Sequence, residues 1–300
     1  MDESAEVRKP LFGTHSNYVF AANVDDRQRL AYQFSLLRED FNLWFDETLR
    51  LGGLSTDPAE AAWSALDMGC GEGQYTREIA QRYPGAAVVG TDVDAGAIAG
   101  AVRAGASVRN ARFLVHDARE PVPASARGGA GFDVVVVWMV LLYLPDKRKA
   151  LSDLAAALRP GGVILLGNVP DVSIQLAHPA VAEIMTAGYA MMRRLGLLGL
   201  EDGLDRLMHE AGFTDVTTAT LRYPVGGGTG SGRRWATHTL NSFAAGRHLV
   251  VDIAGAMDGA EYDRRLARLA GEPVIHLQGE CRFLATVGRL AAPRAGGDPR

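Results

Sequence analysis

The stretch Ala61-Ala-Trp-Ser-Ala-Leu-Asp67-Met-Gly69-Cys-Gly71-Glu-Gly73-Gln-Tyr-Thr-Arg-Glu-Ile-Ala-Gln-Arg-Tyr83 decides how this chain is read. Its opening, through Leu66, is an apolar run that predicts a short buried strand. Gln74 to Tyr83 predicts a helix. Between them lies a tight turn rich in glycine, which tolerates positive φ and carries no Cβ to block a ligand from the backbone. Strand, turn and helix opening together describe a cofactor site at the edge of an α/β sheet. A dinucleotide fingerprint spaces its glycines G-x-G-x-x-G. Here the last glycine, Gly73, arrives one position early, and Gln74 stands where it would be. The acid before the turn, Asp67, would repel a pyrophosphate but suits a positively charged amino group. The chain has 35 glycines, so this match says little without its neighbours.

The neighbours supply the rest. Ala86 to Thr91 predicts a second strand, followed by Asp92, which lies 19 residues after Gly73. A carboxylate at that distance is placed to accept from a ribose diol. Ala111 to His116 predicts a third strand, followed by Asp117, which can accept from an exocyclic amine. Asp67, Asp92 and Asp117 would then line one carboxyl edge of a parallel sheet, where ligands of such sheets bind.

On these residues the chain resembles the class I S-adenosylmethionine-dependent methyltransferases, in particular the bacterial small-molecule type. Leu66 to Gly73 looks like the family's first motif, and Asp92 and Asp117 match its ribose and adenine acids. Phe132 to Trp138 resembles its fourth strand and Leu158 to Leu166 its fifth. The likeness extends to a leader, Asn17-Tyr-Val-Phe20 with Asp25, Asp26, Arg29, Leu30 and Gln33, and to a final strand ending near Gly288. It implies a doubly wound, mostly parallel α/β sheet of seven strands with an amino-terminal helical leader and a helical lid, the last strand running antiparallel. It implies S-adenosylmethionine as cofactor, bound by Tyr18, Arg29, Gln33, Asp67, Gly69, Gly71, Gly73, Gln74, Asp92, Val93, Asp117, Ala118, Trp138 and Met139. The activity implied is methylation of a hydrophobic small molecule, with oxygen the first guess and nitrogen or carbon the alternatives. A protein of this fold that binds the cofactor without transferring methyl would carry the same motifs.

Composition narrows the class. With 35 acids against 31 bases the chain is slightly acidic, which argues against a nucleic-acid-binding surface. Cys70 and Cys281 have no CxxC partner, so neither a metal site nor a disulfide framework is expected. The polar start has no apolar stretch of the signal-peptide kind, and no long uncharged apolar run suggests a spanning helix. A cytoplasmic protein without membrane or nucleic-acid partners, with room for a homodimer, is the expectation.

Along the chain, residues 1–60 read as a leader with a helix over 25–51 that Asp25 or Asp26 could cap. Residues 61–169 read as the cofactor-binding core and 170–211 as a helical lid containing the Met-rich run around 185–195. Residues 212–290 read as strands and helices completing the sheet, and 291–300 as a disordered tail. For a general base, His178, His238 and His15 lie in segments that would cover the site, and Tyr143 could orient a substrate. His116, within a strand beside Asp117, should point to the opposite face.

Overall fold

Apolar runs from Ser64 onward pair into one twisted sheet, with helices returning the chain between them. The computed structural model describes residues 24–126, 129, 131–170, 172–195, 200, 203–273 and 276–292. The strands are β1 (Ser64–Met68), β2 (Ala87–Asp92), β3 (Ala111–Val115), β4 (Phe132–Trp138), β5 (Leu158–Asn168), β6 (Ile174–Leu176), β7 (Phe213–Gly226) and β8 (Gln278–Leu290). Their order is β3-β2-β1-β4-β5-β8-β6, with β7 on the other edge of β8. Strands β1 to β5 are parallel, and β8 runs antiparallel to β5, β6 and β7. This is the doubly wound sheet the sequence implies. The central strands are covered on both faces, which is why Phe132–Trp138 reads as one apolar run rather than an alternation.

An eighth strand was not expected. Three residues are too few to show a period, and β6 exists only because the early half of β8 offers it an edge. Strand β7 continues through Pro224 to Gly226. It pairs only with β8 and is therefore an edge strand, where a proline is tolerated.

The helices are α1 (Val24–Leu51), α2 (Gln74–Arg82), α3 (Ala95–Ala104), α4 (Lys147–Ala157), α5 (Pro179–Leu195), α6 (Leu204–Glu210), α7 (Gly230–His248) and α8 (Gly259–Gly271). Asp94 and Asp146 cap α3 and α4, accepting from Gly96 N at 2.7 Å and Lys149 N at 2.9 Å. Asp26, expected as a cap, lies inside α1 instead, buried against Arg29. Helix α7 begins at Gly230, where Thr229 caps it by accepting from Gly232 N. It ends in a π turn over Leu249–Ile253.

Three apolar clusters hold these layers together. One face of the sheet packs Val135, Val137, Ile164 and Leu166 against α4 and α6. The other packs Ala65, Val134, Val136 and Leu165 against Phe41, Phe45 and Leu49 of α1. A third joins α5, α7 and α8 to the outer half of the β7–β8 ribbon. The 170–211 segment is thus divided. Helix α6 covers the sheet through Leu204 and Met208, whereas Met185, Met191 and Met192 of α5 pack in the third cluster. No helix among the described residues is long and apolar enough to cross a membrane. Residues 1–23 and 293–300, which hold the Asn17–Phe20 part of the leader motif and most of the tail, lie outside the described residues.

Candidate functional site

The turn after β1 is built by its glycines. Gly69 has φ +74°, and a Cβ there would stand 2.3 Å from a methyl of Val140. Gly71, at φ +54°, has nothing within 4 Å of where its Cβ would be, so the backbone is bare toward open space. The turn is tied to β2 by Gly69 N and Cys70 N, which both donate to Thr91 O at 2.7 and 2.8 Å. Asp92 joins turn and strand from the side: one carboxylate oxygen accepts from Gly71 N at 2.8 Å, the other from Asp94 N at 2.9 Å. Burial raises the Asp92 pKa above the usual carboxylate value, while these two N–H groups pull it down.

A two-lobed cavity opens at this carboxyl edge. Leu30, Gly69, Gly71, Asp92, Trp138 and Met139 line both lobes and form the junction. The first lobe continues between α1 and α2 along Gln33, Phe34, Glu72, Gln74 and Tyr75. The second continues past Val93, His116, Asp117, Ala118, Val140 and Tyr143. The first is acidic and aromatic; the second is mainly apolar.

The end of β4 shapes the junction. Trp138 is buried and seated over Gly167, where a Cβ would collide with the indole at 2.3 Å. Met139 follows at φ +60°, an unusual conformation for a side-chain-bearing residue, and its N–H donates to Gly167 O at 2.7 Å. Such strain at a cavity wall is kept where surrounding structure fixes it, and is common at ligand sites.

Most of the residues singled out in the sequence reach this cavity. Gln33, Gly69, Gly71, Gln74, Asp92, Val93, Asp117, Ala118, Trp138, Met139 and Tyr143 line it. Asp117 does so with its carboxylate engaged by the guanidinium of Arg119, which holds its pKa below the usual range. Gly73 stands behind the lining, packed where a Cβ would meet the Phe113 ring at 2.5 Å.

Others are placed differently. Asp67 does not line the cavity: its buried carboxylate accepts from Thr76 Oγ1 at 2.6 Å, and burial raises its pKa to about 6. Arg29 is set back from the lobes, donating from Nε to Asp26 at 2.7 Å. Of the expected bases, His178 lies at the entry to α5 and is not among the lining residues of either lobe. His238 is buried in α7, edge-on to Trp235 at 5.4 Å, with its pKa lowered to about 3 by desolvation and then by Arg29. Tyr143 has its pKa raised to about 12 by burial, so its hydroxyl stays protonated near neutral pH. Tyr18 and His15 lie outside the described residues. His116 reverses its expectation: β3 ends at Val115, alternation no longer applies, and the ring lines the second lobe. Burial lowers its pKa as well. Phe34, Glu72, Tyr75, Asp94 and Arg119 were not anticipated. Of these, Tyr75 carried a signal, since it follows Gln74 in the first turn of the helix that opens on the site.

Residues 66–164 match a family model described as a methyltransferase domain. The trans-aconitate 2-methyltransferase of Variovorax paradoxus is 30% identical over 178 residues, covering 57% of this chain and 66% of that protein. That of Deinococcus radiodurans is 29% identical over 170 residues, covering 53% and 62%. The chain thus spans somewhat under two thirds of the length of these curated relatives. Among solved structures, a Haemonchus contortus phosphoethanolamine N-methyltransferase in complex with S-adenosyl-L-methionine superposes with a TM-score of 0.55 at 18% identity, covering 93% of this chain and 61% of that one. The [4+2]-cyclase SpnF superposes at 0.52 with 19% identity, covering 84% and 81%. At these identities the superpositions establish the fold, and the second shows that one fold hosts different chemistries.

Proposed function

We infer, for a chain that belongs to the class I S-adenosylmethionine-dependent methyltransferases, that it transfers methyl from S-adenosylmethionine to an oxygen of a small organic acid. The observation that carries the reading is the two-lobed cavity with Asp92 at its junction. The order of its lining residues suits the order of the cofactor's parts. The apolar second lobe suits adenine, beside Val93 and Ala118. Asp92 suits the ribose hydroxyls, and the bare backbone at Gly71 leaves room that any side chain would fill. The acidic first lobe suits the cationic methionine arm, with Gln33 and Gln74 as polar contacts.

When bound, the cofactor supplies an electrophilic methyl on a sulfonium, and the protein's part is orientation and electrostatics. Trp138 and Met139, on the strained end of β4, would fix the direction from which an acceptor approaches and keep water from the reacting atoms. The proton inventory is compatible with an acceptor that arrives already ionised. A phenol or alcohol must lose a proton, and a base for that task works best with a pKa near the working pH. Among the described residues lining the lobes, the imidazole of His116 is desolvated and the phenol of Tyr143 stays protonated. His178 and His238 do not line them. A carboxylate arrives already ionised and needs no base, and Tyr143 can donate a hydrogen bond to it. The names of the curated relatives support the same acceptor chemistry.

The test pairs aryl and alkyl carboxylic acids with the corresponding phenols and alcohols, and follows S-adenosylhomocysteine formation and methyl ester by mass spectrometry. Esters from the acids alone are expected. Methylated phenols or amines, with the acids inert, would overturn the acceptor assignment; no turnover of cofactor with any acceptor would favour a protein of this fold that does not transfer methyl.

A further inference from the structure

Asn168 is the last residue of β5 and is completely buried, yet neither its amide nitrogen nor its amide oxygen has a hydrogen-bond partner. We propose that Asn168 selects the acceptor: its amide NH2 holds one carboxylate oxygen, its amide oxygen takes a hydrogen bond from an adjacent hydroxyl, and the preferred acceptor is a 2-hydroxy acid. The proposal rests on the carboxylate acceptor inferred above and narrows it.

Burial without pairing sets this residue apart. Buried polar groups are normally hydrogen-bonded, and leaving them unpaired costs stability. Among the described residues, Asn168 alone leaves two buried side-chain atoms unpaired, one a donor and one an acceptor. Packing does not call for an amide here. Asn168 follows Leu166 on one face of β5 and stands opposite Leu284 of β8, so a leucine would suit the same surroundings.

Its place in the fold directs it toward the acceptor. The preceding residue, Gly167, lies under the Trp138 ring and accepts from Met139 N at 2.7 Å. Alternation then puts the Asn168 side chain on the other face, where Leu166 packs with Val140 and Tyr143. Val140 and Tyr143 both line the second lobe, and β5 touches the Leu141–Tyr143 turn. Asn168 is not itself in the lining. It belongs to the layer behind it, at the end where Tyr143 can meet a carboxylate. Met139, at φ +60°, joins β4 to that wall. Seating the acceptor parts the wall there and gives the amide its two partners.

The chemistry of the pairing fixes the class of ligand. A 2-hydroxy carboxylate presents an acceptor oxygen and a hydroxyl side by side, the complement of the adjacent donor and acceptor of a primary amide. The other carboxylate oxygen stays free for methylation. Its lone pair forms the O–CH3 bond as the S–CH3 bond breaks, and the electron pair of that bond stays on sulfur. No proton moves, because the carboxylate is already ionised. An acid without the hydroxyl leaves the amide oxygen unpaired, and a site built to bond a hydroxyl rejects such an analogue.

The test assays the full chain with S-adenosylmethionine and two pairs of acids, mandelate with phenylacetate and lactate with propionate, for wild type and Asn168→Leu. Mass spectrometry of the methyl esters gives kcat/KM. The wild type is expected to favour the hydroxy acid of each pair by about tenfold or more. Asn168→Leu should lose about ten- to a hundredfold in kcat/KM on the hydroxy acids and most of the preference. Its melting temperature should hold or rise, since an unpaired amide has been removed, and its affinity for S-adenosylhomocysteine should be unchanged. Equal use of both members of each pair by the wild type, or a leucine variant that keeps the preference, would overturn the role of Asn168 and leave the carboxylate acceptor standing. A lowered melting temperature with the preference intact would assign the residue to the fold alone. If the variant fails to bind S-adenosylhomocysteine, the wild-type preference decides. Esters from other acids but from neither hydroxy acid would overturn the 2-hydroxy assignment; esters from no acid at all would overturn the carboxylate acceptor, and this assignment with it.

Discussion

Replacing Asp67 with asparagine separates two roles that a carboxylate behind a Gly-rich turn can play. The group is buried, accepts one hydrogen bond from Thr76 Oγ1, and has its pKa raised from 3.8 to about 6, chiefly by desolvation. A raised carboxyl pKa means that the folded state favours the protonated acid. Its contribution to stability is therefore fully present below pH 3.8 and is lost as the pH rises through about 6. A rise of this size corresponds to about 3 kcal/mol between those limits. Asparagine can still accept from Thr76 through its amide oxygen but does not ionise in this range. Urea unfolding of wild type and Asp67→Asn, followed by tryptophan fluorescence at pH 4 and pH 7.5, measures the difference. The stability of the variant relative to wild type should rise by about 2–3 kcal/mol from the lower pH to the higher. A constant offset at both pH values would show that Asp67 titrates normally, and that its burial does not govern its charge.

Three further outcomes follow from the geometry. Gly69→Ala combines a positive φ with a collision against Val140, and should lower stability by about 2–4 kcal/mol, read as a fall in melting temperature. Asp92→Ala removes the acceptor of Gly71 N and Asp94 N; its affinity for S-adenosylhomocysteine should fall about ten- to a hundredfold, in line with about 1.5–3 kcal/mol for a charged hydrogen bond, and unchanged affinity would remove Asp92 from the ribose. His238→Phe places another ring beside Trp235, and because burial holds the histidine pKa near about 3, the pH profile of ester formation between pH 6 and 9 should match wild type. An acidic limb present in wild type and lost in that variant would restore His238 as a general base.

What could be read in the chain before its fold was known depended on whether the signal was local. Gly69, Gly71 and Asp92 were legible because a tight turn and a strand end impose residue types at fixed spacing, and the sheet keeps that spacing. The two faces of the central strands were legible for a similar reason, as continuous runs of valine and leucine. The cluster of Phe34, Tyr75 and Trp138 was not, because these rings are brought together by packing between α1, α2 and β4. Gly167 and Met139 form a comparable pair: the glycine seats the Trp138 ring and accepts a hydrogen bond from the strained methionine, with no local pattern to announce either. His116 was misplaced because alternation was carried one residue past the end of β3. His238 looked available as a base because a sequence shows the imidazole but not the desolvation that neutralises it.

The most direct test of the whole account is titration calorimetry of the purified chain with S-adenosylhomocysteine, with NAD as control and Asp92→Ala in parallel. Micromolar binding of S-adenosylhomocysteine, none of NAD, and a marked loss in the variant are expected. Binding of NAD in place of S-adenosylhomocysteine would contradict the assignment of the two lobes and, with it, the methyl transfer built on them.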